Sequence, residues 1–370
     1  MPHQFSHRLD WTLGPNRLSQ ALDQHKPRFD LTASNPTKAG IYYPPEAASA
    51  LHQPEALIYN PDPCGIASAR AALNLGPHTI LSASTSEAYA WLFKLLANPS
   101  DNILVPRPSY PLFEFLAKLE SVEVRQYSLR YSEGWWLDFE SLKKQLNEKT
   151  RAILFVHPNN PTGSYLKQHE LTQLTEICAQ RDIALISDEV FAAYPLAVDG
   201  TRAVTLGDNR ACLTFTLGGL SKSAGLPQMK AAWLTATGPA AEDAARRLEL
   251  IADTYLSVSS PVQLALPALL QHGIAIQQQI QARTSANLKT LNRSSLRALN
   301  VEGGWYAILP APRTRTEEDW ALHLLEHEAT LTQPGYFYDF ETDGWLVISL
   351  LTPEADFASG IEAIHRAFTA

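Results

Sequence analysis

Along the middle of the chain, short uninterrupted apolar runs alternate with stretches whose apolar residues recur every three or four positions. The runs are Thr79–Ala83, Asn102–Val105, Arg151–Val156, Ile183–Ser187, Cys212–Leu217 and Lys230–Ala236. Helical periodicity falls at Glu87–Leu96, Leu112–Leu119, Phe139–Leu146 and Leu171–Ala179. A strand that is apolar throughout is covered on both faces, as in parallel sheets. Strands alternating with helices therefore predict an α/β fold with a mostly parallel central sheet.

After Pro261 the texture changes. A Gln- and Ala-rich helical region runs to about Leu299, followed by β-like pieces at Trp305–Leu309, Ala329–Thr332 and Trp345–Leu351. Helical patterns lie between and after them, at Glu317–Glu328 and Ala355–Phe368. This reads as a smaller α+β domain drawn from both termini. The expected division is an N-terminal segment of the small domain at 1–45, a large domain at 46–262 and a C-terminal small domain at 263–370.

Composition narrows the function classes. The 370 residues are 45% hydrophobic and 18% charged, and 30 basic against 38 acidic side chains leave a net charge of −8. An acidic surface repels phosphate backbones, so no nucleic-acid partner is expected. Cys64, Cys178 and Cys212 stand far apart, which offers neither a disulfide framework nor a zinc site. The N-terminus lacks the apolar core of a signal peptide, and no apolar run reaches the ~18 residues a membrane span requires. The expectation is a cytoplasmic protein with no membrane or metal partner.

Ligands of open α/β sheets sit beyond the carboxyl ends of the strands. After the run Arg151–Val156 comes HPNNPTG, which includes Asn160; after Ile183–Ser187 come Asp188 and Glu189; after Cys212–Leu217 comes GGLSK, ending at Lys222. An amide, a carboxylate and a lysine thus meet at one edge of the sheet. Each alone has an ordinary structural explanation, but three at successive strand ends point to a site.

These residues resemble the fold type I pyridoxal-phosphate (PLP) aminotransferases. HPNNPTG is similar to the family's NPxNPTG, SDEVF to its DEx(Y/F) element, and LSKSAGLP to its Schiff-base lysine motif. The resemblance covers roughly residues 30–355 and implies an atypical member that moves an amino group from an amino acid or amine donor to a keto acid by a ping-pong route. Other PLP reactions on the same fold, β-elimination or decarboxylation, use the same residues, and a non-catalytic PLP-binding regulator is a further alternative.

By that resemblance, Lys222 holds the cofactor and shuttles the substrate proton, Asp188 pairs with the pyridinium nitrogen, and Asn160 bonds the ring hydroxyl beside the substrate carboxylate. Tyr110 stacks on the ring. Ser84, Thr85 and Ser86, at a strand-to-helix turn, cradle the phosphate with Ser221 and Lys230. Tyr59 resembles a tyrosine that reaches the phosphate across a dimer interface, which implies a homodimer with shared active sites.

The sequence also departs from the family. Phe191 stands where many members carry a tyrosine that donates to the ring hydroxyl, with Tyr194 as a candidate replacement. Lys230 replaces an arginine, keeping charge but losing the bidentate fork. Gly219 replaces a serine. Val347, in WLVISLL, aligns with the arginine that grips the substrate carboxylate, leaving Lys38 as a candidate relocated cation.

Overall fold

The computed structural model describes residues 3–197 and 199–370. Eight strands form the principal sheet, in the spatial order Thr79–Ser82, Ala232–Thr237, Thr214–Gly219, Ala184–Asp188, Thr150–Val156, Asn102–Arg107, Glu123–Tyr131, Trp135–Leu137. The five strands from Thr214–Gly219 to Glu123–Tyr131 run parallel, and Ala232–Thr237, Thr79–Ser82 and Trp135–Leu137 join antiparallel. Every residue of Ala184–Asp188 is buried, as a strand with helices on both faces must be.

The six expected strands all form, with ends shifted by one or two residues. Two further strands, Glu123–Tyr131 and Trp135–Leu137, carry no comparable apolar run. Glu123–Tyr131 is exposed at both ends and buried at Tyr127–Leu129, so its mixed composition concealed it. The helix Ala241–Asp253 was likewise not expected; its apolar stripe is carried by Ala241, Ala244, Leu248 and Ala252, and alanine is a weak hydrophobic signal.

One 34-residue helix, Ser260–Arg293, packs against the helices Ala67–Ala72, Leu220–Ser223 and Glu354–Thr369. It approaches the Lys222 turn closely because Gly273 has no side chain: a Cβ there would lie 2.5 Å from the Ala224 Cβ. Beyond it, Tyr306–Pro310, Trp345–Ser349 and Gln333–Pro334 make a small antiparallel sheet covered by Glu317–Glu328 and Glu354–Thr369. Phe29–Asp30 pairs in parallel with Thr330–Leu331. Leu18 and Leu31 join the same apolar cluster as Trp320, Leu346 and Phe357. Among the described residues, no helix is long and apolar enough to cross a membrane.

Candidate active site

A cavity of about 540 Å³ opens at the carboxyl ends of the parallel strands. Asp188 ends one strand, Asn160 follows the next, and Lys222 lies on a one-turn helix, Leu220–Ser223, entered directly from Thr214–Gly219. Adjacent parallel strands end side by side, so residues far apart in sequence line one opening.

The Lys222 turn is pinned through its backbone. Tyr194 Oη donates to the Lys222 carbonyl at 2.5 Å, Ser223 Oγ to the Gly219 carbonyl at 2.9 Å, and Tyr43 Oη to the Gly225 carbonyl at 2.6 Å. Its side chain has aromatic walls: Nζ lies 5.0 Å from the Trp305 ring centre and 5.6 Å from that of Phe191. Loss of water around the amine lowers its pKa to about 8, opposed by the charge of Asp188. A usable fraction is therefore neutral near physiological pH.

Burial pushes the Asp188 carboxyl upward, against the hydrogen bonds that favour its ionised form. Tyr89 Oη donates to Oδ2 at 2.7 Å and the Val190 N–H to Oδ1 at 3.1 Å. Its neighbour Glu189 has a structural role, accepting from Thr205, Ser187 and the Leu206 N–H. Asn160 faces the cavity with a buried carboxamide oxygen that has no partner among the described residues. Asn159 behind it is fully engaged: it accepts from Ser109 Oγ and donates to the Pro108 carbonyl and Thr162. That network ties the Asn160 loop to the loop bearing Tyr110.

The N-terminus of the helix Thr85–Leu96 also lines the cavity. Ser84 is the N-cap, accepting from the Glu87 N–H at 3.1 Å. First-turn N–H groups have no intrahelical acceptor, and Ser84, Thr85, Ser86, Ser221 and Lys230 line the cavity around them. Gly219 lines it too; a Cβ there would come within 3.0 Å of the Ala232 Cβ. Any side chain at this position would need Ala232 to give by a few tenths of an ångström. The lining suits a phosphate-bearing ring ligand: it brings together an anion seat, the Asp188 carboxylate, an amide whose oxygen is unpartnered and, among the described residues, an amine outside any ion pair.

Not all the expected residues gather here. Tyr59 is 79% exposed and borders a different cavity, with Trp91 and Gln263. Lys38 is exposed at the end of the turn Pro36–Lys38, whose Pro36 is buried, and lies outside the lining. Val347 is fully buried in the core, mid-strand opposite Ile308 and Gln333. The Tyr194 hydroxyl is committed to the Lys222 carbonyl and its ring packs edge-on to Trp305; it does not take the place of a donor at Phe191.

Several lining residues went unmarked in the sequence: Tyr89, Tyr306, Gln333, Tyr338 and Ser34. Tyr89 had a readable signal, since it lies one helical turn after Thr85 and shares its face. The others come from the C-terminal elements after the long helix and from the N-terminal segment, whose approach no local pattern reveals.

Comparison with solved structures finds an aminotransferase from Escherichia coli at TM-score 0.86 and 22% identity, covering 100% of this chain and 99% of that one. A double mutant of Thermus thermophilus aspartate aminotransferase matches at TM-score 0.83 and 21% identity over 99% of this chain and 100% of its own. At these identities the likeness establishes the fold. In sequence, the alanine aminotransferase of Mycobacterium tuberculosis (strain H37Rv) is 27% identical over 304 residues, 77% of this chain and 69% of that protein. Nicotianamine aminotransferase 1 of Oryza sativa subsp. japonica is 30% identical over 197 residues, 52% of this chain but only 40% of its own length. The family model for aminotransferase class I and II matches residues 61–364. With most of its length inside that family, the chain belongs to the class I and II aminotransferases, the pyridoxal-phosphate-dependent transferases of amino groups.

Proposed function

We propose that this chain moves an amino group between a small amine-bearing donor and a keto acceptor, with Lys222, Asp188 and Asn160 as the working side chains. The observation that carries the reading is the unpaired, desolvated Lys222 amine in the same cavity as Asp188 and the unpartnered Asn160 amide. When bound, pyridoxal phosphate supplies the electron-withdrawing ring that lets the substrate Cα–H bond break.

The remaining work falls to the chain. Lys222 would hold the cofactor covalently and, once released as a neutral amine, would take the proton from the substrate Cα and deliver it to the cofactor's C4′, two atoms away. Asp188, ionised, balances the positive ring nitrogen. Asn160 donates to the ring hydroxyl and stands beside the substrate. Ser84, Thr85, Ser86, Ser221 and Lys230 seat the phosphate, the helix N-terminus adding its dipole. Tyr110, in the lining and 46% exposed, covers the ring face.

The substrate end of the cavity is uncharged. Among the described residues that line it, the bases are Lys222 and Lys230, and both belong to the cofactor seat in this reading. The small-domain wall offers Tyr306, Tyr338 and Gln333, with Tyr338 Oη donating to Gln333 Oε1 at 2.5 Å. A donor held by hydroxyls and an amide, in place of a guanidinium fork, is the substrate class these residues favour. The exposed Leu57, Ile58 and Tyr59 (92%, 65% and 79%) support a homodimer in which Tyr59 completes the neighbouring site. The division near residues 45 and 262 is likewise our reading, supported by the shared cluster of Leu18 and Leu31 with the C-terminal elements.

The test is a screen of amino donors against purified protein, read as conversion of bound PLP to its pyridoxamine form, with borohydride fixation and peptide mapping of the carrier residue. Label at Lys222 and donor-dependent conversion are expected. Label at another lysine, or release of pyruvate or carbon dioxide with no pyridoxamine form, overturns the reading.

A further inference from the structure

Asp188 has to remain ionised in a setting that works against it. It is 7% exposed, and burial raises its pKa. Among the described residues its oxygens have one partner each, the Val190 backbone N–H on Oδ1 and the Tyr89 hydroxyl on Oδ2. Lys222 contributes attraction, but that amine must itself be neutral to accept a proton. The Tyr89 hydroxyl is thus a side-chain donor to the carboxylate that the proton transfer does not consume.

Tyr89 is built for one task. It lies on the helix Thr85–Leu96, whose first turn borders the anion seat. Its ring is 3% exposed, edge-on to Phe113 at 5.3 Å and tilted against Phe93 at 6.0 Å. That packing leaves the hydroxyl little choice of direction, and it points at Oδ2. Burial together with the neighbouring Asp188 charge drives the phenol pKa well upward, so the group is a donor at every working pH. Each oxygen of an ionised carboxylate accepts two hydrogen bonds, so Asp188 keeps capacity for a ring N–H beside those it already accepts.

We propose that Tyr89 is a positioning residue that keeps Asp188 ionised and fixed in orientation, so that the carboxylate can hold a protonated ring nitrogen. The inference rests on the reading of Asp188 given above. It deepens that reading by tying the anion seat and the ring-nitrogen partner to one helix. A change at Tyr89 then acts on the ring through Asp188, without touching the phosphate.

The experiment titrates full-length apoprotein with pyridoxamine phosphate, which binds without a covalent bond, and with its 1-deaza analogue, which lacks the ring nitrogen. Tyr89→Phe keeps the ring packing and removes only the hydroxyl. It should weaken pyridoxamine phosphate binding by about tenfold or more, the size of a lost hydrogen bond to a charged group, and leave binding of the 1-deaza analogue unchanged. Equal weakening of both ligands would mean a loosened cavity wall, and no weakening of either would mean an idle contact; each overturns the proposal. Asp188→Asn separates the two levels. If it fails to discriminate between the ligands, the Asp188 reading falls with the inference; if it discriminates and Tyr89→Phe does not, the inference alone falls. In the Asp188→Asn background, Tyr89→Phe should have no further selective effect.

Discussion

At Lys222 and Asp188 the same burial acts in opposite directions, pushing the amine down and the carboxyl up. Desolvation disfavours whichever form is charged, and only Asp188 has side-chain and backbone donors to offset it. Asp188→Ala should therefore keep the fold and lose at least tenfold in turnover, or about 1.4 kcal/mol of barrier. A smaller loss in steady-state kinetics would mean that the ring nitrogen is held otherwise. The lowered Lys222 pKa also has a consequence for the apoprotein. Between about 8 and the ordinary 10.5, the unfolded chain carries the proton and the folded chain does not. Stability should then rise with pH across that window, by up to roughly 3 kcal/mol, relative to Lys222→Met. Denaturant titrations of both apoproteins from pH 7.5 to 10.5, roughly spanning those two values, check this; parallel curves would contradict it. Phe191 belongs at this scale too. Its ring packs edge-on to Trp305 at 5.2 Å and walls the amine, so what it lacks as a donor it contributes as dry, apolar surface.

At the scale of elements, the one-turn helix that carries Lys222 is too short to hold itself. Its position comes from the strand that feeds it, the hydroxyls of Tyr43 and Tyr194, and the close approach of the long helix at Gly273. The N-terminal segment depends on its neighbours in the same way. Phe29–Asp30 is a two-residue strand paired with Thr330–Leu331, and Leu31 beside it is fully buried against Gly360 and the cluster of Trp320, Leu346 and Phe357. Leu31→Ala should cost about 2–5 kcal/mol, as truncation of a well-packed core leucine does, seen as a lower melting temperature. A change below about 0.5 kcal/mol would mean that the segment lies on that cluster without stabilising it.

For the whole molecule, the proposed uncharged substrate end sets a donor preference that kinetics can read. A bidentate guanidinium–carboxylate contact contributes roughly 1.5–3 kcal/mol, so its absence should lower use of glutamate and aspartate by about ten- to hundredfold relative to donors that need no such grip. Kinetics with α-amino acids, amines and ω-amino acids, repeated on Lys38→Ala, decide it. Efficient use of glutamate independent of Lys38 would contradict the uncharged end, and activity lost in Lys38→Ala would move the grip to that exposed turn. The sequence by itself determined the parallel sheet and the polar groups at its strand ends. Apolar run length and strand-to-helix alternation are local signals, and HPNNPTG, SDEVF and LSKSAGLP are contiguous. The mixed strand Glu123–Tyr131 and the alanine-striped helix Ala241–Asp253 were not legible, because their burial depends on what packs against them. Tertiary structure alone decided that Glu189 turns away from the cavity, that Tyr194 serves the Lys222 backbone, and that Tyr89 reaches Asp188 across 99 residues. Such pairings depend on how whole elements pack, and no stretch of sequence contains both partners.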